Sequence, residues 1–157
     1  MTTSSPFALP AYQELPTMGL YLNQVVTYLQ DCCAPFGNVK VTQSMISNYV
    51  KHHLIDSPQN KLYQRDQIAQ LLFIVIAKNV VEQKNLQRAL QIQEETYPTA
   101  VAYDYFVKEL DNALSYVFGY HKNLQQIGSE HTKQKRLLRN LILAFAYQAY
   151  LAHFFNN

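Results

Sequence analysis

The stretch TQSMISNYVKHHLI, residues 42–55, sorts its side chains onto two unlike faces when wound as a helix at about 100° per residue. Met45, Ile46, Tyr49 and Val50 gather on one face, which must be buried. Gln43, Ser44, Ser47, Asn48 and Lys51 gather on the other. That second face joins amides and hydroxyls suited to base edges with an ammonium suited to phosphate. Any surface helix has a polar face, so the neighbouring segments decide how this one is read.

Thr42 is a good N-cap for this helix, which the sequence predicts to run over 42–53 before Ser57-Pro58 forces a loop. Upstream, Leu22, Val25, Val26 and Leu29 predict a helix over 21–33, closed by Pro35 and Gly37. Downstream, a compact loop over 56–62 leads to Tyr63, and Arg65 opens the next helix. The order is helix, turn, helix, short wing. Between residues 40 and 65 the cations Lys40, Lys51, Lys61 and Arg65 face a single acid, Asp56, an excess able to neutralise phosphates. Gln43, Ser44, Ser47 and Asn48 are therefore candidate base-edge groups, and Lys51, Lys61 and Arg65 are candidate phosphate contacts. Thr42 and Tyr63 belong to the same candidate DNA-binding surface. A solvated charged loop is the plain alternative.

The rest of the chain carries helical periodicity, with no repeat and no sustained alternation of the kind that marks a sheet. Ile68, Leu71, Leu72, Val75 and Ile76 predict a third helix from residue 64, apolar over so wide an arc that it belongs at the centre of the core. Further helical segments are expected over 82–93, over 100–118 after Pro98, and over 130–155, the last becoming apolar all round from Leu141. The expected architecture is mainly α. It comprises a disordered tail at 1–14, a winged helix-turn-helix head at 15–93, and a helical body at 94–157 for dimerisation or effector binding.

Composition excludes several classes. With 157 residues the chain can bury a genuine core, and Cys32 and Cys33, being adjacent, do not form a secreted disulfide framework. The start, 1–10, has neither a basic cluster nor a long apolar stretch, which argues against a secretory signal and for a cytoplasmic protein. The longest apolar runs, 71–77 and 141–147, fall short of the roughly 20 residues a membrane span needs. A net charge of +2 does not by itself mark a nucleic-acid binder. The four glycines build no phosphate-cradling loop, the histidines lack metal-ligand spacing, and no nucleophilic triad is visible. Carboxylates such as Glu94, Glu95, Asp104, Glu109 and Asp111 suit solvated helix surfaces. No cofactor, metal or enzyme activity is expected.

Within this frame ISNYVKHHLI, residues 46–55, resembles the second helix and exit of the MerR regulators, with Tyr49, Leu54 and Ile55 in register. KLYQRDQI, residues 61–68, is similar to the tyrosine-containing wing exit and acidic helix start of that family, and 80–90 resembles the segment after it. Ser47 stands where the family usually has arginine, His53 where it has glycine, and the wing is short. A closer resemblance is to a group of Gram-positive bacterial proteins carrying a domain of unknown function, with a similar Leu15-Pro16 opening and MISNYVK core at 45–51. That group has a MerR-like fold. The resemblance implies a helix-turn-helix that binds double-stranded DNA and regulates transcription.

Tyr97, Tyr103, Tyr105, Phe106, Tyr116, Phe118 and Tyr120 cluster in the expected body, either as core and dimer interface or as the lining of a small-molecule effector pocket. Helix-turn-helix readers bind paired half-sites, so a homodimer is expected, with the apolar last helix as its contact. The alternative from another class is a helical protein-interaction module that keeps the shape without reading DNA.

Overall fold

The segment from Ile68 to Ala77 offers water almost nothing polar, and the computed structural model, which describes residues 5–127 and 132–156, buries nearly all of it. This is α3 (Arg65–Ala77), the central helix expected from the sequence. Around it lie α1 (Leu22–Cys33), α2 (Gln43–Lys51), α4 (Gln83–Thr96), α5 (Thr99–Val117) and α6 (Lys133–Asn156). Short 3-10 turns occupy Tyr12–Glu14 and Ala34–Phe36. The fold is mainly α. Among the described residues the only extended pairing is two isolated bridges, Leu20 with Tyr63 and Gln59 with Leu62. None of the described helices is long and apolar enough to cross a membrane.

Local chemistry sets the ends of α2. The Thr42 hydroxyl accepts the Met45 amide at 3.2 Å, satisfying one of the helix's open N-terminal donors. At the other end His52 is the cap, and His53 turns left-handed with φ 59°. The His53 amide then donates to the Val50 carbonyl and the Leu54 amide to the Tyr49 carbonyl, the paired closure of a Schellman motif. The helix stops two residues short of the expected 53. Helix α5 closes in the same way with Gly119 at φ 84°, where Gly119 donates to Tyr116 and Tyr120 to Ser115.

The expected tail is ordered from residue 5 onward. Phe7 and Leu9 are buried, and the Phe7 ring lies 4.8 Å from that of Phe118. The Tyr12 amide donates to Asp104 at 2.8 Å, and the Tyr103 hydroxyl donates to the Pro10 carbonyl at 2.7 Å. Two apolar side chains are buried there, Phe7 against the rings of Phe118 and Tyr120 just past α5, so the segment packs instead of remaining solvated.

No break in the core marks the expected division between head and body. The buried cluster runs from Phe7 to Ala149, and Phe36, in the turn after α1, meets Phe145 of α6 edge-on at 5.7 Å. Helix α6 is half as expected. Leu141, Ile142, Phe145, Ala146 and Ala149 are buried, whereas Tyr147, Tyr150, Leu151, Phe154 and Phe155 are exposed. Its expected start at Glu130 lies outside the described residues.

Candidate nucleic-acid interface

Helix α2 presents its two faces as its periodicity dictates. Ile46 and Tyr49 are buried, Met45 and Val50 half-buried, and Gln43, Ser44, Ser47, Asn48 and Lys51 are exposed. The burial of the apolar face pushes the Tyr49 phenol up to about 12, so this ring stays neutral in the core. Residues spaced three and four apart thereby form one open surface of two amides, two hydroxyls and an ammonium.

The loop after α2 ends in a tight two-residue turn. The Leu62 amide donates to the Gln59 carbonyl at 2.9 Å, with Asn60 at φ 53° and Lys61 at φ 66°. Positive φ at both central positions is the type I′ arrangement of a hairpin. The turn is held at its base. Leu20 and Tyr63 exchange backbone hydrogen bonds at 3.0 and 2.8 Å, and the Gln67 side chain donates to the Asp56 carbonyl at 2.9 Å. Gly19 is needed here, because a Cβ at that position would lie 2.9 Å from the Leu62 Cβ. Lys61 stands exposed at the turn.

Three sequence-derived candidates do other work. Tyr63 is buried, and its backbone pairs with Leu20, so its side chain is core. Arg65 faces inward. Its guanidinium donates to the Leu15 carbonyl at 3.3 Å and stacks 5.2 Å from the Tyr12 ring, fastening the N-terminal segment to α3. Thr42 is the helix cap, as described above. The side chains brought together on an open surface are those of α2, while Lys61 projects from a separate turn.

Lys78, which the sequence reading passed over, joins the cations near α2. It caps α3 at its C-terminus, and its ammonium lies 3.2 Å from the Met45 sulfur. Burial, and after it the charge of nearby Lys40, holds its pKa below the usual lysine range. A lysine that ends an apolar run carries no signal of this neighbour, which only the packing of α3 beside α2 supplies.

Other chemistry is sparse. Among the described residues no group of three or more His, Cys, Asp or Glu side chains is placed to hold a metal. Cys32 and Cys33 are free thiols, and burial pushes the Cys33 thiol up to about 12, far from a reactive thiolate. One carboxylate expected on a solvated surface is buried. Glu109 of α5 pairs with Arg139 of α6 at 3.6 Å, and its carboxyl is nonetheless raised above the ordinary range, because desolvation outweighs that cation.

One family description, a domain of unknown function (DUF1836), matches residues 10–106, from the segment before α1 to the middle of α5. The chain belongs to this DUF1836 family. The matched region of this DUF1836 chain includes α2, the Gln59–Leu62 turn and all of α3, and it runs past the head boundary expected at 93. No curated protein and no solved structure matches the chain.

Proposed function

We propose that this DUF1836 protein is a sequence-specific DNA-binding transcription regulator of MerR-like type that reads the major groove with α2. The observation that carries the reading is the open face of α2, where Gln43, Ser44, Ser47, Asn48 and Lys51 are exposed while the opposite face is buried. Amides and hydroxyls on one side of a helix match the donor and acceptor pattern of base edges. Lys40, Lys51 and Lys61 are exposed and Lys78 half-buried, a set of cations suited to phosphates. The type I′ turn supports a minimal wing. Lys61 adds to this, because it occupies a left-handed position where glycine would be free of strain, and strain retained at an exposed cation is a mark of function.

Two copies reading paired half-sites about 34–36 Å apart complete the proposal. The exposed stripe of α6, Tyr147, Tyr150, Leu151, Phe154 and Phe155, supplies the apolar contact such a dimer requires.

The test is fluorescence anisotropy of the full chain with a random-sequence duplex across a salt series. Non-specific binding should have a Kd on the order of 1–100 μM and fall steeply with salt. Replacing Lys51 and Lys61 together by alanine should lower the log–log slope by about 2. No binding even at low salt would refute DNA reading and favour a protein-interaction module, to which the exposed aromatic stripe of α6 would then belong.

A further inference from the structure

A second site lies away from α2, where α4, α5 and the first turns of α6 converge over α3. It is a cavity of about 170 Å³ with Phe73 of α3 in its wall. Ala89 and Ile92 of α4, Val101 of α5, and Leu138 and Leu141 of α6 supply most of the remaining apolar surface. Val101 and Leu137 are both about half exposed, so apolar groups reach the mouth as well as the interior. A dry apolar cavity of about 150 Å³ is already large enough to admit benzene.

Directly beside it is a wider recess of about 340 Å³ with the opposite character. Among the described residues Lys133, Lys135, Arg136 and Arg139 line it against one carboxylate, Glu109, and that carboxylate already faces Arg139 at 3.6 Å. Lys135 and Tyr105 line both spaces. The Lys135 ammonium lies 5.1 Å from the Tyr105 ring centre, at the wall between the greasy and the basic compartment. The Tyr105 hydroxyl is held by its neighbours, within 3.1 Å of the Ile127 carbonyl and 3.2 Å of Glu109. Lys135 is thus the group at the junction suited to meet an incoming negative charge.

We infer that this paired site binds a small amphipathic carboxylic acid, with an apolar body the size of a phenyl ring or six-carbon chain in the cavity and its carboxylate against Lys135. An uncharged hydrocarbon would fill the cavity but make no use of the cations. A sugar phosphate or nucleotide would strand its polar groups against Phe73, Ile92 and Leu141. Only a molecule with both ends matches both compartments.

The probe is 3-phenylpropionate, with 3-phenyl-1-propanol as its uncharged counterpart, titrated calorimetrically into the full chain. The acid should bind one site with a Kd on the order of 0.1 mM, and the alcohol about tenfold more weakly. Lys135→Gln, a half-exposed position that should leave the fold intact, should bring the acid to the affinity of the alcohol. Ala89→Leu, which fills the cavity, should weaken both ligands, with a thermal melt checking that the variant folds. The inference is overturned by absence of saturable binding at about 5 mM acid, by equal affinity of acid and alcohol, or by a Lys135→Gln protein that keeps the preference for the acid. No DNA enters the measurement, so its failure is distinct from failure of the DNA-binding reading.

Discussion

His53 and Lys61 are L-residues held at φ 59° and 66°, conformations in which a Cβ crowds the backbone. Helix α5 meets the same geometric demand with Gly119, so the fold has no general need for a side chain at such a cap. Replacing His53 by glycine relieves the crowding and partly offsets this by loosening the unfolded chain, leaving a gain of about 0.5–1 kcal/mol. In urea this should raise the midpoint without changing the slope. Lys61→Gly should stabilise by a similar amount and yet weaken DNA binding, with the salt slope falling by about 0.9 as one phosphate contact disappears. A Lys61→Gly protein that gains stability and keeps its salt response would remove Lys61 from the proposed surface. The departure of His53 from glycine was visible only through the MerR resemblance, because periodicity by itself carried the helix on to 53 and gave no sign of a left-handed residue there. Lys61 was legible as a cation. Its backbone strain was not, because that depends on how the Leu20 pairing and Gln67 draw the loop into a two-residue turn.

Helices α2 and α3 were legible because each carries its own evidence. A two-faced period marks α2, and a run too apolar to face water marks α3. Helix α5 was read correctly in extent, yet the placement of one of its side chains was missed. Glu109 suited a wet surface by its type, but α6, far along the chain, lies across it and brings Arg139 to 3.6 Å. The burial has a pH signature. The folded-state pKa of Glu109 lies above its unfolded value, so its charged form is disfavoured in the fold. Its destabilising effect is absent below the ordinary carboxylate range of about 4.3 and develops as pH rises through the raised folded-state value. Glu109→Gln resembles the protonated form at every pH. The variant should therefore melt close to the parent at pH of about 4 and gain relative to it by pH of about 8. Melting curves of both proteins at the two pH values check this, and an equal gap at both would clear Glu109 of any role in the pH response.

At the scale of the molecule, one core includes the inner face of α2, Phe36 of the turn after α1 and Phe145 of α6, and residues 147–155 of α6 leave five large apolar side chains in water. A contiguous stripe of that kind is unusual on a monomer. If it is the proposed dimer contact, Leu151→Glu with Phe154→Glu should convert a dimer to a monomer by light scattering. A charge placed in a closed apolar interface is strongly disfavoured, whereas both positions are exposed in the single chain and the melting of the monomer should change little. Finding the parent protein monomeric at all working concentrations would remove the paired half-site geometry.

What the sequence determined alone is the set of properties that arise within one turn or one helix. These are the mainly helical class, the Thr42 cap, the division of α2 into a buried and an open face, and the central place of α3. Periodicity and capping act over a few residues, so they can be read without knowing what lies opposite. Tertiary structure alone decided that Tyr63 and Arg65 turn inward, that residues 5–14 pack on α5, that Lys78 joins the cations near α2, and that a greasy cavity adjoins a basic recess. Each of these depends on which distant surface a side chain meets, and the meeting is set by burial of the whole apolar surface at once, a term with no local signature.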